Sequence, residues 1–259
     1  MTPAEIIEPE LSQAARDLRD RDEPFCFATI VRTVGATAAK PGAKALLAAD
    51  GTILEGWVGG GCARGAVKRA AALALSTGDP QLISVAPEEF LAEIGVEPGT
   101  EQDGVTYARN GCPSKGTVDI FVEPCLPIPE LIILGGSPVA KALTQLAPQF
   151  HWAVTASSDG ANLTETNRRR FVVVATQGLG DLAALRAASE VKADHVCFVG
   201  SSRKFAALSE QLVEEGAAPS KLARIKAPAG LDIKAVTPEE IALSILAELV
   251  QVRRGAVQS

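Results

Sequence analysis

"LIILGGSPVAKAL", residues 131–143, passes from four uninterrupted apolar side chains through Gly135, Gly136 and Ser137 into a helix-like run. An apolar block without alternation predicts a strand buried on both faces, as in a parallel sheet covered by helices. The turn after it stands where a dinucleotide-binding loop would stand. A full fingerprint would read GxGxxG or GxGxxA, however, and the middle glycine is here Ser137. Classical dinucleotide binding is weakened, while a helix start that can face a phosphate remains.

The following residues repeat the pattern. "HWAVTAS" (151–157), "FVVVAT" (171–176) and "HVCFVG" (195–200) predict strands, and "LGDLAALRAASE" (179–190) and "KFAALSEQLVEEG" (204–216) predict helices between them. The last helix, within "VTPEEIALSILAELVQVRR" (236–254), has a marked start. Thr237 can cap it, Pro238 takes the first position and Glu240 completes a capping box. Ile241, Ile245 and Leu249, with Leu246 and Val250, give it one apolar face, and Arg253 and Arg254 suit its C-terminal dipole. This half reads as Rossmann-like.

Pro124, Pro127 and Pro129 mark a linker at about residues 125–130. They divide an N-terminal domain, 1–126, from the C-terminal domain, 130–259. The first half is predicted as a helix over Ala4 to Arg19, a strand "FCFATIVRTV" (25–34) and a loop "GATAAKPG" (35–42). A hairpin "AKALLAADGTILEGWVG" (43–59) then turns at Asp50-Gly51, a dipeptide that favours tight hairpins. A helix from Ala63 to Thr77 ends at Gly78, and strands "QLISVA" (81–86) and "GTVDIFVEP" (116–124) complete the domain. The expected fold class is α/β: an α+β domain with a mixed sheet, followed by a Rossmann-like parallel-sheet domain.

With 259 residues, 47% hydrophobic and 22% charged, the chain is long and apolar enough for two packed cores. A net charge of -6 argues against a nucleic-acid partner, because counterion release needs a basic surface. The acidic first 25 residues do not resemble a signal peptide, and no segment is apolar enough for a membrane span. Five scattered cysteines without a CxxC pair indicate neither a disulfide framework nor structural zinc, and fit a reducing cytoplasm. With only His151 and His195 present, few histidine-based catalytic schemes remain.

The candidate site residues begin in "GWVGGGCARGAV" (56–67). Gly59, Gly60 and Gly61 would leave main-chain N–H groups uncovered at a helix start, where anions bind. Cys62 then sits at the positive end of that helix, where a thiolate is favoured, with Arg64 in the same turn. On residue types alone, a tight turn with a small buried cysteine, the usual fate of a free cysteine, is the more ordinary reading. "ARNGCPSKGTVDIFVEP" (108–124) holds a second cysteine, Cys112, in a turn-rich loop with Lys115 beside it. In the second half, Gly135, Gly136 and Ser137 form one candidate loop. Ser201, Arg203 and Lys204 in "FVGSSRK" (198–204) form another, at the strand end where ligands of parallel sheets bind. Basic residues in a first helical turn oppose the dipole, so a neighbouring anion would offset them. Asp159 stands at the spacing of a ribose-binding acid, within the turn-like "SSDG". "NRRR" (167–170) reads as a solvated charged run.

Taken in order, "GWVGGGCARGAV", "GCPSKGTVDIFVEP", "LIILGGSPVAKAL", "FVGSSRK" and "APAGLDIKAVTPEEIALSILAELV" resemble the XdhC/CoxI family of maturation factors for molybdenum hydroxylases. The resemblance implies a chaperone that binds the molybdenum cofactor, as molybdopterin or its cytosine dinucleotide form, in transit. It also implies sulfuration with a cysteine desulfurase, delivery to the large subunit of a xanthine- or carbon-monoxide-dehydrogenase-type enzyme, and a homodimer. Thiolates of Cys62 or Cys112 would suit the soft metal end. Two alternatives stay open: an NAD(P)-dependent oxidoreductase using the Rossmann-like half, in which Tyr107 is the only tyrosine, and a ligand-free partner of an enzyme complex.

Overall fold

The computed structural model describes residues 9–113, 115–158 and 166–255. The chain forms two compact units, Met1–Pro127 and Ile128–Ser259.

In the first unit, a helix α1 (Pro9–Asp20) precedes β1 (Phe25–Val34), β2 (Lys44–Ala48) and β3 (Ile53–Gly56). Helix α2 (Gly61–Thr77) and β4 (Gln81–Ala86) follow, then α3 (Glu88–Glu93), β5 (Glu101–Gln102), β6 (Val105–Arg109) and β7 (Thr117–Cys125). The strands make one sheet in the order β3-β2-β1-β7-β4-β6-β5. The β4–β6 pair is parallel and the others are antiparallel, so the sheet is mixed. Strand residues alternate between its faces. One set, including Cys26, Ala28, Ile30, Ile83, Val85, Val118, Ile120 and Val122, meets α2. That helix presents Ala63, Ala66, Val67, Ala70, Ala71 and Ala74, small side chains that let it lie close to the strands. The alternate positions Phe25 and Leu46 pack against Leu11, Ala15 and Leu18 of α1. Asp50 shapes the hairpin turn through its carboxylate, which accepts from the Thr52 N–H at 2.8 Å.

The second unit contains β8 (Glu130–Leu134), α4 (Pro138–Leu146), a 3-10 turn, β9 (Ala153–Ser157), β10 (Arg170–Val174) and α5 (Asp181–Glu190). It continues through β11 (His195–Phe198), α6 (Ser202–Glu214), α7 (Pro219–Leu222), β12 (Ile225–Lys226) and α8 (Pro238–Gly255). All five strands are parallel, in the order β12-β11-β10-β8-β9. The chain starts at β8, steps outward to β9 and returns to the other side of β8 at β10. The direction of winding therefore reverses between β8 and β10, where ligands of such sheets bind. Helices α4 and α8 cover one face, through Ala140, Leu143, Ala242, Ile245 and Leu249. Ala184, Leu185 and Leu212 of α5 and α6 cover the other. The capping box at α8 is formed as the sequence predicts: Glu240 N–H donates to Thr237 Oγ1 at 3.3 Å, and Thr237 N–H to Glu240 Oε2 at 2.9 Å.

Several elements differ from the sequence reading. Helix α2 begins at Gly61 rather than Ala63, and α1 is described from Pro9 onward. Strand β6 lies in a stretch to which the sequence reading assigns no element, and α3, β5, α7 and β12 are too short to carry a periodic signal. Asp159 lies outside the described residues.

Candidate functional site

Between the end of β3 and the glycine run, Val58 is completely buried. Gly59 has φ +120°, and a Cβ there would lie 3.0 Å from Ala63 Cβ, so the backbone doubles back against its own helix where only glycine fits. Gly60 is the N-cap, in extended conformation, and no side chain caps the helix. A Cβ on Gly60 or Gly61 would meet no heavy atom within 4 Å. These two glycines are thus not required by packing, and they leave the first-turn amides of α2 accessible.

The structure brings Cys62 to the loop that carries Cys112. Gly111 N–H donates to Cys62 Sγ at 3.4 Å. Asn110 organises this loop: its N–H donates to Ala86 O at 2.7 Å, its side-chain amide to Gly116 O at 2.6 Å, and its Oδ1 accepts from Cys112 N–H at 3.0 Å. Both cysteines are half-buried free thiols, and Arg64 is exposed. The Lys115 ammonium pairs with Glu89, and its N–H closes a turn onto Cys112 O at 3.1 Å. Asn110 was not singled out from the sequence, although an Asn-Gly pair is a turn signal.

In the second unit the candidate residues lie at the carboxyl edge of the parallel sheet. Gly135 has φ +111°, and a Cβ there would stand 2.6 Å from Ala175 O, so the exits of β8 and β10 touch through a glycine. Gly136 is open in the same sense. The Ser137 hydroxyl caps α4, accepting from Ala140 N–H at 3.1 Å, and that of Ser201 caps α6, accepting from Lys204 N–H at 3.2 Å. Arg203 is exposed. Lys204 Nζ stands 2.6 Å from Asp181 Oδ2, so the anion that offsets this first-turn cation is a side chain of the protein itself. Asp181, at the start of α5, also accepts from Thr176 Oγ1 and from Gly178 N–H at 3.2 Å. Burial pushes its carboxyl up, but the hydrogen bonds from Lys204 and Thr176 and the ammonium charge outweigh this and hold it below the ordinary range. The sequence puts Thr176 at a strand end and Asp181 in the first turn of a helix, and nothing local in it shows that they meet each other and Lys204.

A mixed-sheet unit with a glycine-rich, thiol-bearing helix start, followed by a parallel-sheet unit with an altered dinucleotide loop, defines a two-domain protein of the Rossmann-containing class. The model of the XdhC and CoxI family matches residues 18–86, and that of the XdhC Rossmann domain matches residues 131–249. The chain belongs to the XdhC/CoxI family. It is 29% identical over 266 residues to the Escherichia coli (strain K12) uncharacterized protein YqeB, covering 93% of this chain and 46% of that protein. The chain thus spans about half the length of that relative. A Bacillus halodurans crystal structure described as a xanthine dehydrogenase aligns over 94% of this chain and 95% of its own, with a TM-score of 0.42 and 19% identity. Among the described residues, no helix is long and apolar enough to cross a membrane.

Proposed function

We propose that this protein binds the molybdenum cofactor, as molybdopterin or its cytosine dinucleotide form, and holds it during sulfuration. It would then pass the cofactor to the large subunit of a molybdenum hydroxylase of the xanthine or carbon monoxide dehydrogenase type. Membership of the XdhC/CoxI family supports the general role. The observation that carries the site is local: two glycines with open space above them start α2, and the next residue's sulfur meets the loop bearing the second thiol.

These residues fit the group. Its phosphate matches the uncovered amides at Gly60 and Gly61, and a flat pterin needs the room that a Cβ there would fill. When bound, the cofactor supplies a molybdenum–dithiolene centre whose terminal sulfur the recipient enzyme requires. Cys62 and Cys112 offer soft sulfur donors for its metal end, and Arg64 adds positive charge at the helix start. In the second unit, the Gly135–Ser137 turn beside the β10 exit is a separate helix start with room for a phosphate group. Cysteine desulfurase and a second copy of this chain are the further partners of this reading, in the cytoplasm, and holding and transfer require no turnover by the protein.

The test is to purify the protein from cells that make the cofactor, convert bound pterin to its fluorescent oxidised form and quantify it per chain. Pterin above background in the wild type, reduced in the Cys62→Ala/Cys112→Ala variant, is expected. Equal amounts in both would refute the thiol role, and none in either would refute cofactor binding.

A further inference from the structure

Helix α8 buries an apolar face interrupted by two polar residues, Ser244 and Glu248. A carboxylate in such a face needs compensation, because burial strongly disfavours its charge. The Glu248 side chain is 3% exposed; its Oε1 lies 2.6 Å from His195 Nε2, and its Oε2 pairs with Lys226 Nζ. His195 and Cys197 lie two residues apart on β11 and so point to the same face, toward α8. One donor atom from each of His195, Cys197 and Glu248 lies within 4.8 Å of the others.

We propose that His195, Cys197 and Glu248 form a binding site for a divalent ion of the zinc class. A nitrogen, a sulfur and an oxygen donor from two rigid elements are the ligand types this borderline ion takes in three-residue sites, with water in the fourth position. Only His195, with a side chain 16% exposed, opens the cluster toward solvent.

Charge favours the exchange. Without an ion, Glu248 relies on Lys226, whose side chain is 44% exposed and whose ammonium also donates to Gly230 O at 3.1 Å. With the ion bound, its two positive charges are cancelled by the Cys197 thiolate and the Glu248 carboxylate, and Lys226 is free to turn outward. On binding, the Cys197 S–H bond breaks, a sulfur–metal bond forms and the proton passes to buffer. In the ion-free protein the neutral imidazole donates Nε2–H to the Glu248 carboxylate; on binding, that proton leaves Nε2 and another is taken up at Nδ1 from solvent, with no net release, so that the Nε2 lone pair goes to the metal. The three ligands stand on β11 and α8 of the second unit and the cysteine loops belong to the first, so the cluster is tested independently of cofactor binding.

The test uses the full chain carrying Cys62→Ala and Cys112→Ala, stripped with a chelator and titrated with Co2+. A thiolate-to-cobalt charge-transfer band is expected, saturating at one ion per chain and displaced by Zn2+, with one proton released. Cys197→Ala should abolish the band. Lys226→Met, which leaves every donor in place, should tighten binding about two- to fivefold by removing a half-exposed competitor. It carries the test if Cys197→Ala does not fold. Absence of the band, its persistence in Cys197→Ala, or weaker binding by Lys226→Met would overturn the proposal.

Discussion

Replacing Gly61 by alanine separates the two readings of the glycine run. Gly61 opens α2 with no positive φ, and a Cβ there meets no heavy atom within 4 Å. A Gly→Ala change at a compatible site stabilises by about 0.4–1 kcal/mol, mainly by restricting the unfolded chain. For a unit of this size that raises the thermal midpoint by roughly 2–4 °C. Gly59→Ala is the control, because its φ of +120° and the Ala63 methyl 3.0 Å away leave no relaxed position for a side chain. Strain of about 1–3 kcal/mol should lower the midpoint by roughly 4–12 °C. Scanning calorimetry gives the midpoints, and fluorescence of oxidised pterin gives the cofactor carried by each variant. Gly61→Ala should melt at or above the wild type yet carry less pterin, since the new methyl occupies the space left for the ligand. A lower midpoint would show that the turn itself demands glycine, and wild-type pterin content would show that the open space serves no ligand.

Three further changes test the framework around the sites. Asp181→Asn should cost about 1–2 kcal/mol at neutral pH in urea denaturation, discounted because Lys204 is 41% exposed. As the folded carboxyl titrates below its unfolded value of about 3.9, that difference should be full above about pH 5 and shrink as pH falls through the folded value. Glu248→Gln should lose about 1–3 kcal/mol, less than for a fully buried ion pair because Lys226 can turn to water. Here too burial pushes the carboxyl up, but His195 and Lys226 hold it below its ordinary range, so its contribution disappears toward acid pH. Thr237→Ala removes one half of the capping box and should cost about 0.5–2 kcal/mol by thermal denaturation, while Thr237→Ser should retain most of it.

The elements most legible in the sequence are those whose signal is local. "FCFATIVRTV" matches β1 and "QLISVA" matches β4 end for end, because contiguous β-branched and apolar residues bounded by breakers admit few other readings. Strand β6, "VTYAR", has no reading in the sequence because its apolar residues alternate with polar ones over only five positions. Paired side chains were less legible than elements. Periodicity finds Ile245 and Leu249 on α8 but passes over Glu248 between them, because its partners His195 and Lys226 are 53 and 22 residues away. For Lys204, the sequence showed a first-turn cation wanting an anion, but Asp181 could be identified only once α5 and α6 were placed side by side. At the thiol site, the sequence offered two cysteine loops, and the contact between them required the fold.

The burial of Cys26 and Cys197 bears on how the protein ages. Desolvation pushes the Cys26 thiol up to about 12, and burial with the Glu248 charge pushes Cys197 up as well, so in the ion-free native chain neither offers oxidants much thiolate. Peroxide damage is thereby channelled toward the sulfurs nearer the surface, and the two core thiols should remain reduced until the surrounding unit unfolds.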